Sequence, residues 1–144
     1  MSIARIVAGR SSHEITTCTE QTTMKEAVAM LTERRIGAMP VVDASGKVVG
    51  IFSERDVIQC LQVHGADALN LTMDKVMTSP AVTVTRETSE NQALALMTRR
   101  RIRHLPVVEN GAMISFVSIG DLVKARIDEI ESEAQALRDY IHSA

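Results

Sequence analysis

Two tetrapeptides carry the side chains best suited to chemistry. Ser53-Glu54-Arg55-Asp56 and Ser118-Ile119-Gly120-Asp121 share the pattern S-x-x-D, and each follows an apolar run. A serine followed three residues later by an acid is a helix-start signature, worth about 1 kcal/mol as a cap. The same place also suits a ligand. Free N–H groups and the positive dipole end at a helix start attract phosphate. A carboxylate one turn in would repel that phosphate, yet it can accept both hydroxyls of a ribose. A cap alone satisfies S-x-x-D. Its recurrence at the same place in two halves of the chain points to a nucleotide site whose sugar faces Asp56 or Asp121.

A second pair of segments differs in the middle. Residues 35–42 read RIGAMPVV and residues 101–108 read RIRHLPVV, so Arg103-His104 stands where the first copy has Gly37-Ala38. Arginine presents a planar donor fork that matches phosphate oxygens. Histidine adds a donor whose charge a phosphate would favour. The plainer alternatives are an exposed surface cation at Arg103 and a hydrogen-bonded structural histidine at His104. The preceding Arg99, Arg100 and Arg101 read as solvated cations that suit a helix C-terminus. As a nucleic-acid contact they would make binding steeply salt-dependent.

Positioning these residues requires one unit built twice. Ile36 and Ile102 lie 66 residues apart, as do Thr22 and Thr88, and Ala27 and Ala93. Past the turns the spacing falls to 65, pairing Ser53 with Ser118 and Asp56 with Asp121. Such a period marks a repeated supersecondary unit. Ile15–Cys18 and Val82–Val84 predict short strands. Thr23 with Glu26 opens a helix through about Arg34, and Thr88 or Ser89 opens its counterpart. Ala38–Asp43 and His104–Glu109 read as buried strands, each followed by a glycine-containing turn. Val48–Ser53 and Ala112–Ser118 are second strands that run into the S-x-x-D helices. The expected unit is β-α-β-β-α, with a short helix near Ile3–Ala8 ahead of the first. The link between halves is not rich in Pro or Gly, and its Met73–Met77 stretch reads as structured. Tight pseudo-twofold packing is therefore expected.

The last helix is expected from about Gly120 to His142. Val123, Ile127, Ile130, Ala134, Leu137 and Ile141 step alternately by four and three residues, an a/d seam. Such a seam packs either on its own module or on a second subunit, and the second is preferred here.

Composition narrows the function. Phe52, Phe116 and Tyr140 are the only aromatics, so the core must be Val, Ile, Leu, Ala and Met. That scarcity argues against single-stranded nucleic-acid binding, which relies on stacking platforms. A net charge of −2 gives no global pull toward DNA or anionic lipid. Cys18 and Cys60 form no CxxC pair and have no histidine at metal-ligand spacing, which suits free thiols in a reducing compartment. The N-terminal apolar run is too short for a signal peptide, and no stretch reaches about 18 apolar residues. A soluble, cytoplasmic chain is expected. There is no Walker or GxGxxG loop and no nucleophile–base–orienter set, so binding without catalysis is expected.

Together, RIGAMPVV…GIFSERDV at 35–57 and RIRHLPVV…SFVSIGDL at 101–122 resemble a pair of CBS (cystathionine β-synthase-type) domains, a Bateman module. The resemblance covers about residues 10–127. It implies an α+β fold of two β-α-β-β-α repeats, at 13–64 and 80–127. An N-terminal segment (1–12), a link (65–79) and a C-terminal helix extension (128–144) complete the chain. It also implies two related clefts for adenosine compounds (AMP, ADP, ATP, NAD(H) or S-adenosylmethionine), in modules that commonly dimerise. Carried over, Asp56 and Asp121 fall on the ribose-binding acid. Ser53 and Ser118 fall on the neighbouring hydroxyl, with Ile119 beside the second. Arg103 and His104 fall on the basic pair used for phosphate. Thr22, Ala27, Ile36, Gly37 and Ala38 are expected to wall the adenine in the Asp121 cleft, and Thr88, Ala93 and Ile102 in the Asp56 cleft. Two departures stand out. Gly37-Ala38 supplies no basic side chain, and Ser115 replaces the glycine found at Gly50 in the first repeat. The expected function is an energy-sensing regulatory module that acts as a homodimer on a partner protein in trans. The alternatives are a ligand-independent dimerisation scaffold and an NAD(H) oxidoreductase. No separate substrate domain supports the last.

Overall fold

A computed structural model of the chain describes residues 1–143. Each half grows from a capped helix and a hairpin. Helix α2 (Met24–Arg34) starts at Thr23, whose Oγ1 accepts the Glu26 N–H at 3.2 Å. Its counterpart α5 (Glu90–Arg100) starts at Ser89 rather than Thr88. Ser89 Oγ accepts the Gln92 N–H at 3.0 Å, and the Ser89 N–H donates to Gln92 Oε1 at 2.9 Å. Both helices end on an arginine in the left-handed region, Arg35 at φ 55° and Arg101 at φ 56°.

The hairpins that follow superimpose in register. Strands β2 (Ala38–Val42) and β3 (Val48–Ser53) pair Ala38 with Ser53 and shift register between Val41 and Val42. Strands β4 (His104–Glu109) and β5 (Ala112–Ser118) pair His104 with Ser118 and shift between Val107 and Val108. Helices α3 (Glu54–His64) and α6 (Ile119–Ser143) leave these strands directly. Their first N–H groups reach back alike, Glu54 to the Gly37 carbonyl at 3.0 Å and Ile119 to the Arg103 carbonyl at 2.8 Å. The architecture is the α+β repeat expected, with a β1-β2-β3 sheet and a β4-β5 sheet.

The opening strands are shorter than the residue pattern suggests. Strand β1 is only Cys18–Thr19, parallel to β2, and its counterpart is one bridge between Val84 and Val107. Thr22 Oγ1 accepts the Thr19 N–H and Thr88 Oγ1 accepts the Thr85 N–H, each at 3.1 Å. These turns end pairing on one side. On the other, Ile15 and Thr16, and Pro80 to Val82, are drawn into cleft walls.

Two apolar cores result. The first gathers Met24, Leu31, Met39 and Phe52, and it is closed by Met73 and Val76 of α4 (Met73–Val76). The second gathers Met97, Leu105, Val117 and Leu122, and it is closed by Ile3 and Val7 of α1 (Ile3–Val7). Thus α1 precedes the first repeat in sequence but completes the second. Matching backbone bonds hold both helices, from Met73 N–H to the Thr22 carbonyl and from Ile3 N–H to the Thr88 carbonyl, each 2.9 Å. Helix α1 of the expected N-terminal segment and α4 of the expected link are therefore parts of the two cores. Residues 77–78 press on Gly50, where a Cβ would stand 2.6 Å from Met77 Sδ and 2.9 Å from the Thr78 carbonyl oxygen. Over β5 the 3-10 turn Ser12–Glu14 takes this position, and there Ser115 is accommodated and buried.

Helix α6 docks through Leu122 but leaves its seam bare. Val123, Ile127, Ile130, Leu137 and Ile141 are 45–61% exposed, so the seam does not pack on its own module. No helix of the described residues is long and apolar enough to cross a membrane.

If α1 is integral to the second core, Ile3→Ala should destabilise the chain by about 2–5 kcal/mol, comparable to Met73→Ala in the first. Urea unfolding measures both. A loss below about 1 kcal/mol for Ile3→Ala would mean that α1 merely rests on the surface.

Candidate functional site

Two clefts of about 490 Å³ each lie between the halves. Each takes its acid from one repeat and a facing wall from the other. The Asp56 cleft joins Ser53 and Asp56 to Ile102, Arg103 and His104. The Asp121 cleft joins Ser118 and Asp121 to Ile36, Gly37 and Ala38.

Both acids fold back onto their own helix starts. Asp56 Oδ2 accepts the Ser53 N–H at 2.8 Å and lies 3.2 Å from Ser53 Oγ. Its Oδ1 accepts the Thr78 hydroxyl at 2.9 Å. Asp121 Oδ2 accepts the Ser118 N–H at 2.8 Å, and the Asp121 N–H donates to Ser118 Oγ at 3.1 Å. The cap thus fixes each carboxylate's direction while using part of its acceptor capacity, since a carboxylate has about four lone-pair sites.

The two acids sit in different electrostatic settings. Asp56 is buried, and desolvation pushes its pKa above the ordinary carboxylate value against the opposing bonds from Ser53 and Thr78. At Asp121 burial acts in the same direction, but the bonds from Ser118 and Arg10 outweigh it and the pKa is lowered. Arg10 grips that carboxylate with both terminal nitrogens, Nη2 to Oδ1 at 3.3 Å and Nη1 to Oδ2 at 3.4 Å. Cations divide unevenly as well. Arg55, Arg100, Arg101 and Arg103 line the Asp56 cleft with Glu54, whereas Arg10 and Arg35 line the other with Glu14. The Arg55 guanidinium also ties the halves, donating to the Arg101 carbonyl at 2.8 Å.

His104 lies where the clefts meet and lines both. Its ring stacks on Phe116 with centroids 5.4 Å apart. Burial first, and then the Arg103 charge, hold its pKa below the ordinary histidine value. A Cβ on Gly37 would come within 3.3 Å of Glu54 Oε1, a tight approach, and 3.8 Å of His104 Cε1, an ordinary contact.

A family model described as CBS domain matches residues 7–63 and 73–128. The chain belongs to the CBS domain family. It is 38% identical over 128 residues to the mitochondrial CBS domain-containing protein CBSX3 of Arabidopsis thaliana. That match covers 86% of this chain and 62% of the relative, so the chain spans less than two thirds of its length. Among solved structures, a CBS-domain containing protein from Agrobacterium tumefaciens matches with a TM-score of 0.81 at 34% identity, covering 87% of this chain and 92% of that one. Two structures at 22% identity share the fold. One is CBSX2 in complex with AMP, with a TM-score of 0.75 and coverage of 88% and 96%. The other is a CBS domain pair in complex with 5′-methylthioadenosine and S-adenosyl-L-methionine, with a TM-score of 0.76 and coverage of 90% and 98%.

In this CBS pair, four residues expected at the adenine line neither cleft. Ala27 and Ala93 are fully buried in the two cores, on the helix faces that meet the sheets. Thr22 and Thr88 close turns with their hydroxyls. The matching stretches of cleft wall are Ile15-Thr16 and Pro80–Val82. Ile119 and Ser118 border the Asp56 cleft, and Ser118 also lines the other. Several cleft residues escaped sequence reasoning. Arg35 and Arg101 were legible in principle, because both copies keep the arginine before isoleucine. Arg10 had no signal, since its contact spans 111 residues.

The lowered His104 pKa has a definite pH consequence. The unfolded histidine, near 6.5, protonates before the folded one, so acidification favours unfolding. Stability should be lost as pH falls through 6.5 toward the lowered folded value. Thermal melts at pH 7 and pH 5 should show a smaller fall for His104→Gln than for the parent chain. Equal falls would contradict a lowered pKa at His104.

Proposed function

We propose that this CBS pair is a regulatory module that binds adenine nucleotides between its repeats and signals occupancy to a partner protein in trans. The observation that carries this reading is the pairing, in each cleft, of a helix-capped aspartate from one repeat with the RI-x-x-[M/L]-P strand of the other. A ribose on Asp56 directs the phosphates of AMP, ADP, ATP or NAD(H) toward Arg100, Arg101 and Arg103, with adenine between Pro80–Val82 and Ile102. The complexes of CBSX2 with AMP, and of the other CBS pair with S-adenosyl-L-methionine, support the same ligand chemistry. At Asp121, a ribose must first displace Arg10. A ligand held by both repeats favours one relative packing of the halves, and differential affinity of that kind is what shifts a population. In this reading the chain catalyses nothing and pairs with itself.

One observation favours a ligand-independent scaffold instead. Both S-x-x-D motifs make capping contacts, which by themselves account for the serine and the acid.

Thermal melts with AMP, ATP, NADH and S-adenosylmethionine separate the two. A bound ligand at a hundredfold excess over its Kd stabilises the native state by about 2.7 kcal/mol. No shift with any of them sinks the sensor reading. By calorimetry, Arg103→Ala should weaken AMP or ATP by about 1.5–3 kcal/mol and leave adenosine nearly unaffected. Arg10→Ala should strengthen binding at the Asp121 cleft. Equal loss of both ligands in Arg103→Ala contradicts the phosphate role.

A further inference from the structure

The bare stripe on α6 comes with a charge pattern that selects its partner. With 100° between successive residues, Val123, Ile127, Ile130, Ala134, Leu137 and Ile141 fall on one line along the helix. Leu122, Ala125 and Glu129, the less exposed positions beside the module, lie about 100° to 160° away. The seam therefore points away from the body to which the helix is anchored. The first turns of α6 are held by the folded core through Leu122, so the helix does not meet the instability of a short isolated peptide.

In heptad terms Ile127, Ala134 and Ile141 occupy a positions, and Val123, Ile130 and Leu137 occupy d positions. Arg126 and Glu133 then fall at g, and Lys124, Glu131 and Arg138 at e, all exposed. In a parallel, in-register pair each g residue faces the e residue five positions later on the other helix. That sets Arg126 against Glu131 and Glu133 against Arg138, opposite charges each time, and the twofold axis repeats both pairs. An antiparallel pair that aligns the same seam sets Glu131 against Glu131, Glu133 against Glu133 and Lys124 against Arg138. Every one of those is a like-charge meeting. Arg126 also meets the partly buried Glu129 of its own helix at 3.5 Å, an i,i+3 contact of the weak kind found along helices.

We infer that α6 forms a parallel, in-register two-stranded coiled coil with a second copy of this chain, an assignment that rests on the proposal that the chain pairs with itself. The small Ala134 sits at the middle a position and lets the two backbones approach there. The seam begins two residues after Asp121, so the helix that pairs the copies is the one that carries the acid of the second cleft.

The test uses the full chain with Cys60→Ser and Ala134→Cys. Cys18 stays in place, because it is buried and its thiol is pushed up to about 11. Light scattering should give the mass of a dimer, and mild oxidation should link the copies through position 134. A dimer that does not link there, but links when Cys is placed at both 130 and 134 in the antiparallel match, overturns the parallel seam and leaves self-pairing intact. So does a dimer that links in neither, which would place the contact on another face such as the exposed Ile58 and Leu61 of α3. A monomer at the highest soluble concentration overturns both proposals. In the unmodified chain, Glu133→Arg should weaken dimerisation about tenfold, and adding Arg138→Glu should restore it. Failure of that rescue also counts against the parallel arrangement.

Discussion

The burial of two short helices in each other's territory holds this molecule together. A half of this size, with hardly any aromatic side chains, is marginal by itself. Its core is finished by borrowing, Met73 and Val76 for the first half and Ile3 and Val7 for the second. Because the start of the chain completes the later half, separating the repeats would open a core as well as an interface. The clefts lie along this joint, so the geometry of the sites depends on the closure of the cores.

Capping and binding prove to be two uses of one arrangement. Ser53 and Ser118 fix the directions of Asp56 and Asp121 by bonds that any helix start would welcome. What distinguishes the two acids is what faces them. Asp56 meets a neutral hydroxyl from Thr78 in a cleft rich in arginine, while Asp121 is already gripped by Arg10. His104 stands between them, its pKa lowered by burial, and stacks on one of the few aromatics in the chain. A symmetric fold therefore carries two inequivalent clefts.

Elements governed by local chemistry were legible in advance. The hairpin strands fall within one residue of the expected bounds, because apolar runs ended by glycine-containing turns leave little choice of register. The caps of α2 and α5 were readable for the same reason. Elements whose role depends on distant contacts were not. Ala27 and Ala93 repeat at the right spacing and look like site residues, yet both are fully buried in the cores. The short opening strands were overextended, since nothing local announces that Thr22 and Thr88 will take the neighbouring N–H groups.

The amino-acid order by itself determined the duplicated unit, its capped helices, and the substitution of Arg103-His104 for Gly37-Ala38. Those follow from hydrophobic period, turn chemistry and side-chain type, which act over a few residues. Only the tertiary structure decided which helix closes which core, that Arg10 reaches Asp121, that Arg101 joins the arginines around Asp56, and that the α6 seam faces outward. Each of these is a meeting of groups remote along the chain. Desolvation and charge pairing at such meetings exist only once the two halves have folded against each other.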